Sequence, residues 1–294
     1  MIARNARITA LDIFLGILIL GAGLYLFYRI SVDLTYHWKW QVVPQYLFRF
    51  DPESQHWVPG LLMQGFFTTL RLSLWATLLA TVIGTLMGLL RASRRLFNRL
   101  VSGTYVELTR NLPPLVLIFI FYFFVSDQLL PPLGLEEWVR NSGDVAQKWV
   151  ALLFAPPALL NSFISALITL SIFEGAYVTE IVRSGIQSIE RGQWEASAAL
   201  GLSKGQQMRH VVLPQAVRRI LPALAGQFIS TIKDSAIVSV ISIQELTYQG
   251  MALMASTYLT FEVWITISAM YLALTLLCSL SLEQLELFWR RRSA

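Results

Sequence analysis

The feature that most constrains this chain is a set of long runs without one charged side chain. Trp149–Phe173 covers 25 residues free of Asp, Glu, Lys and Arg, Val263–Leu282 covers 20, and Leu72–Leu90 covers 19. A helix needs about 20 mostly apolar residues to cross the hydrocarbon core of a bilayer. A water-soluble domain of this size has no interior that could hide several such runs. Charged residues make up 14% of the 294 and hydrophobic ones 55%, against about 25% charged in an ordinary soluble domain. This balance excludes a disordered chain and most soluble enzymes. The single cysteine, Cys278, excludes a disulfide scaffold.

Three weaker segments bring the candidate spans to six. Ile8–Tyr28 is broken by Asp12, Leu112–Val125 reaches full length only from Thr104, and Ile220–Ile243 contains Lys233 and Asp234. The run ending at Leu90 is read as a span from Leu61, and Trp149–Phe173 and Val263–Leu282 as the fourth and sixth spans. Arg4 and Arg7 could open a signal peptide, but the apolar stretch behind them is too long and lacks a cleavage site, so it reads as a retained span. With six spans and a cytoplasmic N-terminus, 15 of the 23 Lys and Arg residues lie inside, five outside and three at or within spans. Basic residues favour the cytoplasmic side, so both termini are expected there. The net charge of +5 is therefore an orientation signal and not a nucleic-acid footprint. The expected organisation is an N-terminal span and outer segment over 1–60, a core membrane domain over 61–285 and a basic cytoplasmic tail over 286–294.

One cytoplasmic loop, about 185–214, is long and polar, yet Trp194, Ala198 and Leu202 recur at helical spacing. It reads Glu195-Ala196-Ser197, three residues, Gly201, nine residues, then Val211-Val212-Leu213-Pro214. This resembles the EAA motif of ATP-binding-cassette importer permeases, with Glu195, Ala196, Gly201, Leu213 and Pro214 in register and Ser197 in place of the second alanine. Further motifs resemble the polar amino acid branch of that family. They include Tyr105-Val106-Glu107-Leu108-Thr109-Arg110, Gly175-Ala176-Tyr177 and Lys233-Asp234-Ser235. The resemblance covers roughly residues 60–285. It departs at Asn111-Leu112-Pro113, where the family usually has Gly-Thr-Pro, and at Glu174, where a small or hydroxyl residue is commoner.

The resemblance implies an all-α integral membrane protein of the type I importer class, with the first span added to a five-helix minimum. It implies a bacterial inner membrane, a second permease subunit (identical or related), a separate ABC ATPase binding ATP and Mg, and a periplasmic or extracellular solute-binding protein. No Gly-Lys pair exists in the sequence, so a phosphate-cradling loop ending Gly-Lys-Ser/Thr is absent from it. The 185–214 loop is then a knob pushed by the ATPase. Positive φ is expected at Gly201, Glu195 is expected either near a helix N-terminus or against an arginine of the partner, and Pro214 is expected to end the knob.

Ionisable residues at membrane depth are costly and mark pathways or internal pairs. Glu107 with Arg110, and Glu180 with Arg183, are spaced for i,i+3 pairing. Glu174, Lys233 and Asp234 are the candidate pathway residues, with Glu174 as a possible counter-charge to Lys233. They equally suit a salt bridge locking two helices, or a relay in the alternative function, an ion-coupled secondary transporter or channel. His37, His56 and His210 lack metal-ligand spacing, and no catalytic constellation is present.

Overall fold

A computed structural model of the chain describes residues 9–293 except 34, 35, 54 and 94. Arg4, Arg7 and Arg94 of the inside set lie outside the described residues. The chain divides into two units, residues 1–40 and 41–294.

The first unit contains one helix, α1 (Ala10–Asp33). Asp12, which interrupts the apolar run in sequence, sits in its first turn, where a carboxylate suits the helix dipole. There it accepts hydrogen bonds from the Thr9 N–H and Oγ1, both at 2.7 Å. Leu11, Phe14, Ile17 and Leu20 are all exposed, along an apolar stretch that runs over Ala10–Tyr25.

The second unit opens with α2 (Pro44–Leu47) and a hairpin of β1 (Phe48–Asp51) and β2 (His56–Pro59), paired antiparallel with Phe48 opposite Pro59. This small hairpin is the one departure from all-α among the described residues. Next come α3 (Leu61–Ala92), α4 (Leu96–Asn111) and α5 (Pro114–Phe124). The expected single third span is in fact two helices bent by 115°. Leu112 precedes Pro113 and is held extended at φ −89°, ψ 149°, because a proline ring excludes helical geometry from the residue before it.

After α6 (Leu135–Arg140) and α7 (Asp144–Leu153), α8 runs from Leu160 to Gln187. The fourth span therefore begins 11 residues later than the uncharged run starts. Pro156 and Pro157 separate Trp149–Leu153 into α7, while α8 continues past Phe173 to take in Glu174, Glu180 and Arg183. The cytoplasmic loop folds as α9 (Arg191–Ala199) and α10 (Lys204–Gln207), and α10 passes through a π-helical turn (Met208–Val212) into α11 (Leu213–Asp234). A 3-10 segment extends this to a continuous helix over Lys204–Ile241, so Pro214 does not end the knob. Pro214 lacks an N–H, but it lies in the first turn of α11, directly after the wide turn, where that donor is dispensable. The chain finishes with α12 (Leu246–Thr257) and α13 (Thr260–Ser293). Among the described residues four helices are long and apolar enough to cross a membrane, and the bent α4–α5 pair makes a fifth; the apolar part of the expected first span, Ala10–Tyr25, is shorter than these.

Helix α8 is the axis of this unit. Buried residues make up 61% of its apolar window but 17% of that of α13, so α8 is sheathed by protein and α13 faces outward. Its main partner is α3, which approaches through glycines. A Cβ on Gly84 would lie 2.5 Å from Val178, and one on Gly88 2.7 Å from Val182. Small residues let backbones approach closely where no hydrophobic effect drives association. One apolar cluster gathers Leu72, Ile118, Phe163, Leu170 and Val238; another, toward the cytoplasmic loop, gathers Val182, Ile186, Val212 and Ile220. The buried Glu245 is satisfied structurally: it accepts from Tyr271 Oη at 2.8 Å, the Tyr248 N–H at 2.8 Å and Thr69 Oγ1 at 3.2 Å. It ties α12 to α3 and α13.

Candidate functional site

The cytoplasmic elbow is built as its sequence demands at one position above all. Gly201 has φ +77°, and nothing lies within 4 Å of where a Cβ would be. The conformation, not crowding, requires glycine there. Ser203 then caps α10 in a reciprocal box with Gln206. Glu195 lies mid-helix in α9, which sets aside the N-terminal of the two expected placements, and Arg191 Nε donates to its Oε1 at 2.9 Å, both side chains being largely exposed. Ala196 is exposed and Leu200 is 81% exposed, whereas Ser197 is buried and donates from Oγ to the Trp194 carbonyl at 2.9 Å. Ser197 and, of the helical repeat, Trp194 and Leu202 face the protein, whereas Ala198 is exposed. Leu213 packs with the apolar cluster around Val212. The outward face carrying Glu195, Ala196 and Leu200 is left free for contact.

The elbow is fastened to the helices on both sides. Arg219 of α11 donates from Nη1 to the Ser188 carbonyl at the end of α8, and Gln215 donates from Nε2 to Gln193 Oε1 of α9 at 3.1 Å. A charge network lies close by. Arg91 of α3 pairs with Glu180 at 2.9 Å and with Glu107 at 3.5 Å, and Arg183 pairs with Glu180 at 2.7 Å. The expected Glu180–Arg183 pair forms. The expected Glu107–Arg110 pair does not: Glu107 turns to Arg91 and Asn111, and the Arg110 guanidinium stacks 5.2 Å from the Tyr177 ring centre.

The pathway candidates lie deeper. Glu174 is completely buried halfway along α8; its Oε2 accepts from Gln227 Nε2 at 2.6 Å and its Oε1 has no partner. The Asp234 carboxyl lies beside it. Lys233, one residue earlier, is exposed, as adjacent positions diverge by about 100° around a helix. The structure thus brings Glu174 and Asp234 together and places Lys233 apart from Glu174, whose partner is Gln227 instead. Gln227 was missed by sequence reasoning, although it precedes Asp234 by seven residues and so shares its helix face. Arg110 was named among the ionisable residues at membrane depth, but as the partner of Glu107 and not of Tyr177. The result is an amphoteric cluster: two carboxyls and an amide on one side, with Arg110 and Lys233 exposed nearby.

A bent pair and four long helices, among them the glycine-packed α8, with a glycine elbow just ahead of the continuous helix Lys204–Ile241, describe a multi-pass membrane protein. The sequence profile of the family described as the binding-protein-dependent transport system inner membrane component matches residues 60–291, and the chain belongs to this family. The chain is 39% identical to the glutamine transport system permease GlnP of Escherichia coli strain K12 over 155 residues, 51% of this chain and 70% of that one. It is 33% identical to the arginine permease ArtQ of Haemophilus influenzae over 199 residues, 66% of this chain and 80% of that one. A crystal structure of an amino acid ABC transporter with histidines superposes with a TM-score of 0.60 at 33% identity, covering 77% of this chain and 92% of that one.

Proposed function

We propose that this chain is the permease subunit of an ATP-driven importer of polar amino acids in a bacterial inner membrane, with both termini cytoplasmic. Relatives named for glutamine and arginine, and a related structure with histidines, support that substrate class. A second permease subunit completes the path. A solute-binding protein delivers the amino acid from outside, and a separate ABC ATPase carries ATP and Mg. The observation that carries the coupling part of this reading is the Gly201 elbow at φ +77°, exposed and continuous with the helix that bears Asp234. The outward face of Glu195, Ala196 and Leu200 seats in the ATPase. Ser197, Gly201, Leu213 and Pro214 hold its shape.

In the path, the amino acid's ammonium group is drawn to the Glu174 and Asp234 carboxyls, and its carboxylate to Lys233 and Arg110. A cluster that offers both carboxyls and cations suits a zwitterion better than a lone ion, which favours this reading over an ion relay. The test is co-purification of an ATPase with the full chain, followed by uptake of labelled amino acids into proteoliposomes with and without ATP. Uptake driven by an ion gradient without ATP would overturn the proposal.

A further inference from the structure

Arg71 stands immediately before the uncharged run Leu72–Leu90. In the orientation proposed above, this places it at the headgroup level of the outer leaflet. Its Nη1 donates to the Ala151 carbonyl at the end of α7 at 2.6 Å, its Nε to the Phe67 carbonyl at 3.1 Å and its Nη2 to Thr68 Oγ1 at 3.2 Å. A guanidinium has five N–H donors, so two are left over. Among the described residues no carboxylate pairs with it. A positive charge partly withdrawn from water without a counter-charge is costly.

The same arginine is the only charged residue on the wall of a cavity of about 500 Å³ between α3, α7, the start of α8 and the turn before α12. Most of that wall is apolar, and it continues outward, since Phe67 is 42% and Leu152 63% exposed. Leu152 is shared with a second hollow on the far side of α7, where Lys148 and Trp149 lie. Trp and Lys at this level are what a membrane interface selects. A free amino acid fits poorly here, because the wall offers its ammonium group no carboxylate. A lipid brings an anionic head for the cation and a chain for the apolar wall.

We propose that this cavity binds an anionic phospholipid of the outer leaflet, its phosphodiester on Arg71 and an acyl chain along Phe67 and Leu152. The assembled transporter, purified in detergent, is offered equal amounts of phosphatidylglycerol and phosphatidylethanolamine, and retained lipid is counted by native mass spectrometry. Removing a charge-assisted anion contact in R71Q should lower phosphatidylglycerol retention about tenfold while leaving phosphatidylethanolamine unchanged. Arg71 also holds the end of α7, so Ser162→Phe, which fills the cavity from α8 and spares the three arginine bonds, must give the same loss. Loss in R71Q alone would assign the effect to a displaced α7 and overturn the proposal. So would equal retention of both lipids by the unaltered protein, or displacement of the lipid by inorganic phosphate, which would mark a general anion site. Lipid retention is read without transport, so failure here leaves the importer reading untouched, and the reverse holds too.

Discussion

Substituting Gly201 isolates backbone conformation from every other property of the elbow. No atom lies within 4 Å of the site a Cβ would take, so a small side chain meets no neighbour and its whole cost is the left-handed φ of +77°. For an ordinary L-residue this costs roughly 1–2 kcal/mol, or about 5–30-fold in the population of the native elbow. Asparagine tolerates this region several-fold better than alanine, and β-branched residues tolerate it worst. Coupling should therefore fall in the order Gly, Asn, Ala, Val, although Asn is larger than Ala. The assay is ATP hydrolysed per amino acid imported in proteoliposomes, with complex abundance equalised. If Ala matched Gly, or if loss followed side-chain volume so that Asn fell below Ala, the elbow would not act through its backbone and the reasoning would fail.

Two further expectations rest on other parts of the structure. Gly84→Ala drives a Cβ to 2.5 Å from Val178 and should destabilise the folded chain by about 1–3 kcal/mol through overpacking. Gly103→Ala, in open space on α4, should instead stabilise it by up to about 1 kcal/mol; thermal unfolding in detergent reads both, and equal shifts would refute the α3–α8 contact as the cause. Lys233→Met and Glu174→Gln should each lower amino acid uptake about tenfold at normal complex abundance, the worth of one charge-assisted contact. Unchanged uptake in the Lys233 variant would remove it from the path.

The spans were legible wherever hydropathy and helix coincide, as in α3 and α13. They were misplaced at two proline sites, because an apolar count is blind to backbone geometry. Leu112-Pro113 splits one expected span, and Pro156-Pro157 detaches Trp149–Leu153 from another. The start of the fifth span was hidden for the opposite reason: Lys204–Arg219 is helical but polar, and its helix is set by the cap at Ser203 and by packing on Trp194 and Ile186. In the elbow, the positive φ of Gly201 could be read from a glycine at the tight turn that the motif's spacing implies, whereas Gly192 and Gly205 of the same loop do not adopt it. Gln227, which meets Glu174, could be placed on the face of Asp234 by its seven-residue spacing, but the contact of Arg110 with Tyr177 could not, since it joins segments distant in sequence.

The two candidate sites, far apart in function, share the same two helices. α8 carries Glu174 and ends at Ser188, which accepts from Arg219 of α11. α11 carries Gln227 and Asp234, continues unbroken from α10, and binds α9 through Gln215. The contact between Gln227 and Glu174 closes this frame within the membrane at 2.6 Å. A push on α9 thus reaches α11 through the Gln193–Gln215 bond and the end of α8 through Arg219, and neither helix can shift against the other without straining a buried carboxylate. Arg91 pins the frame to α3 through Glu180 at 2.9 Å, and packed glycines bind α3 to α8 over the next two turns. Any motion of the elbow is consequently expected to move α3, α8 and α11 together.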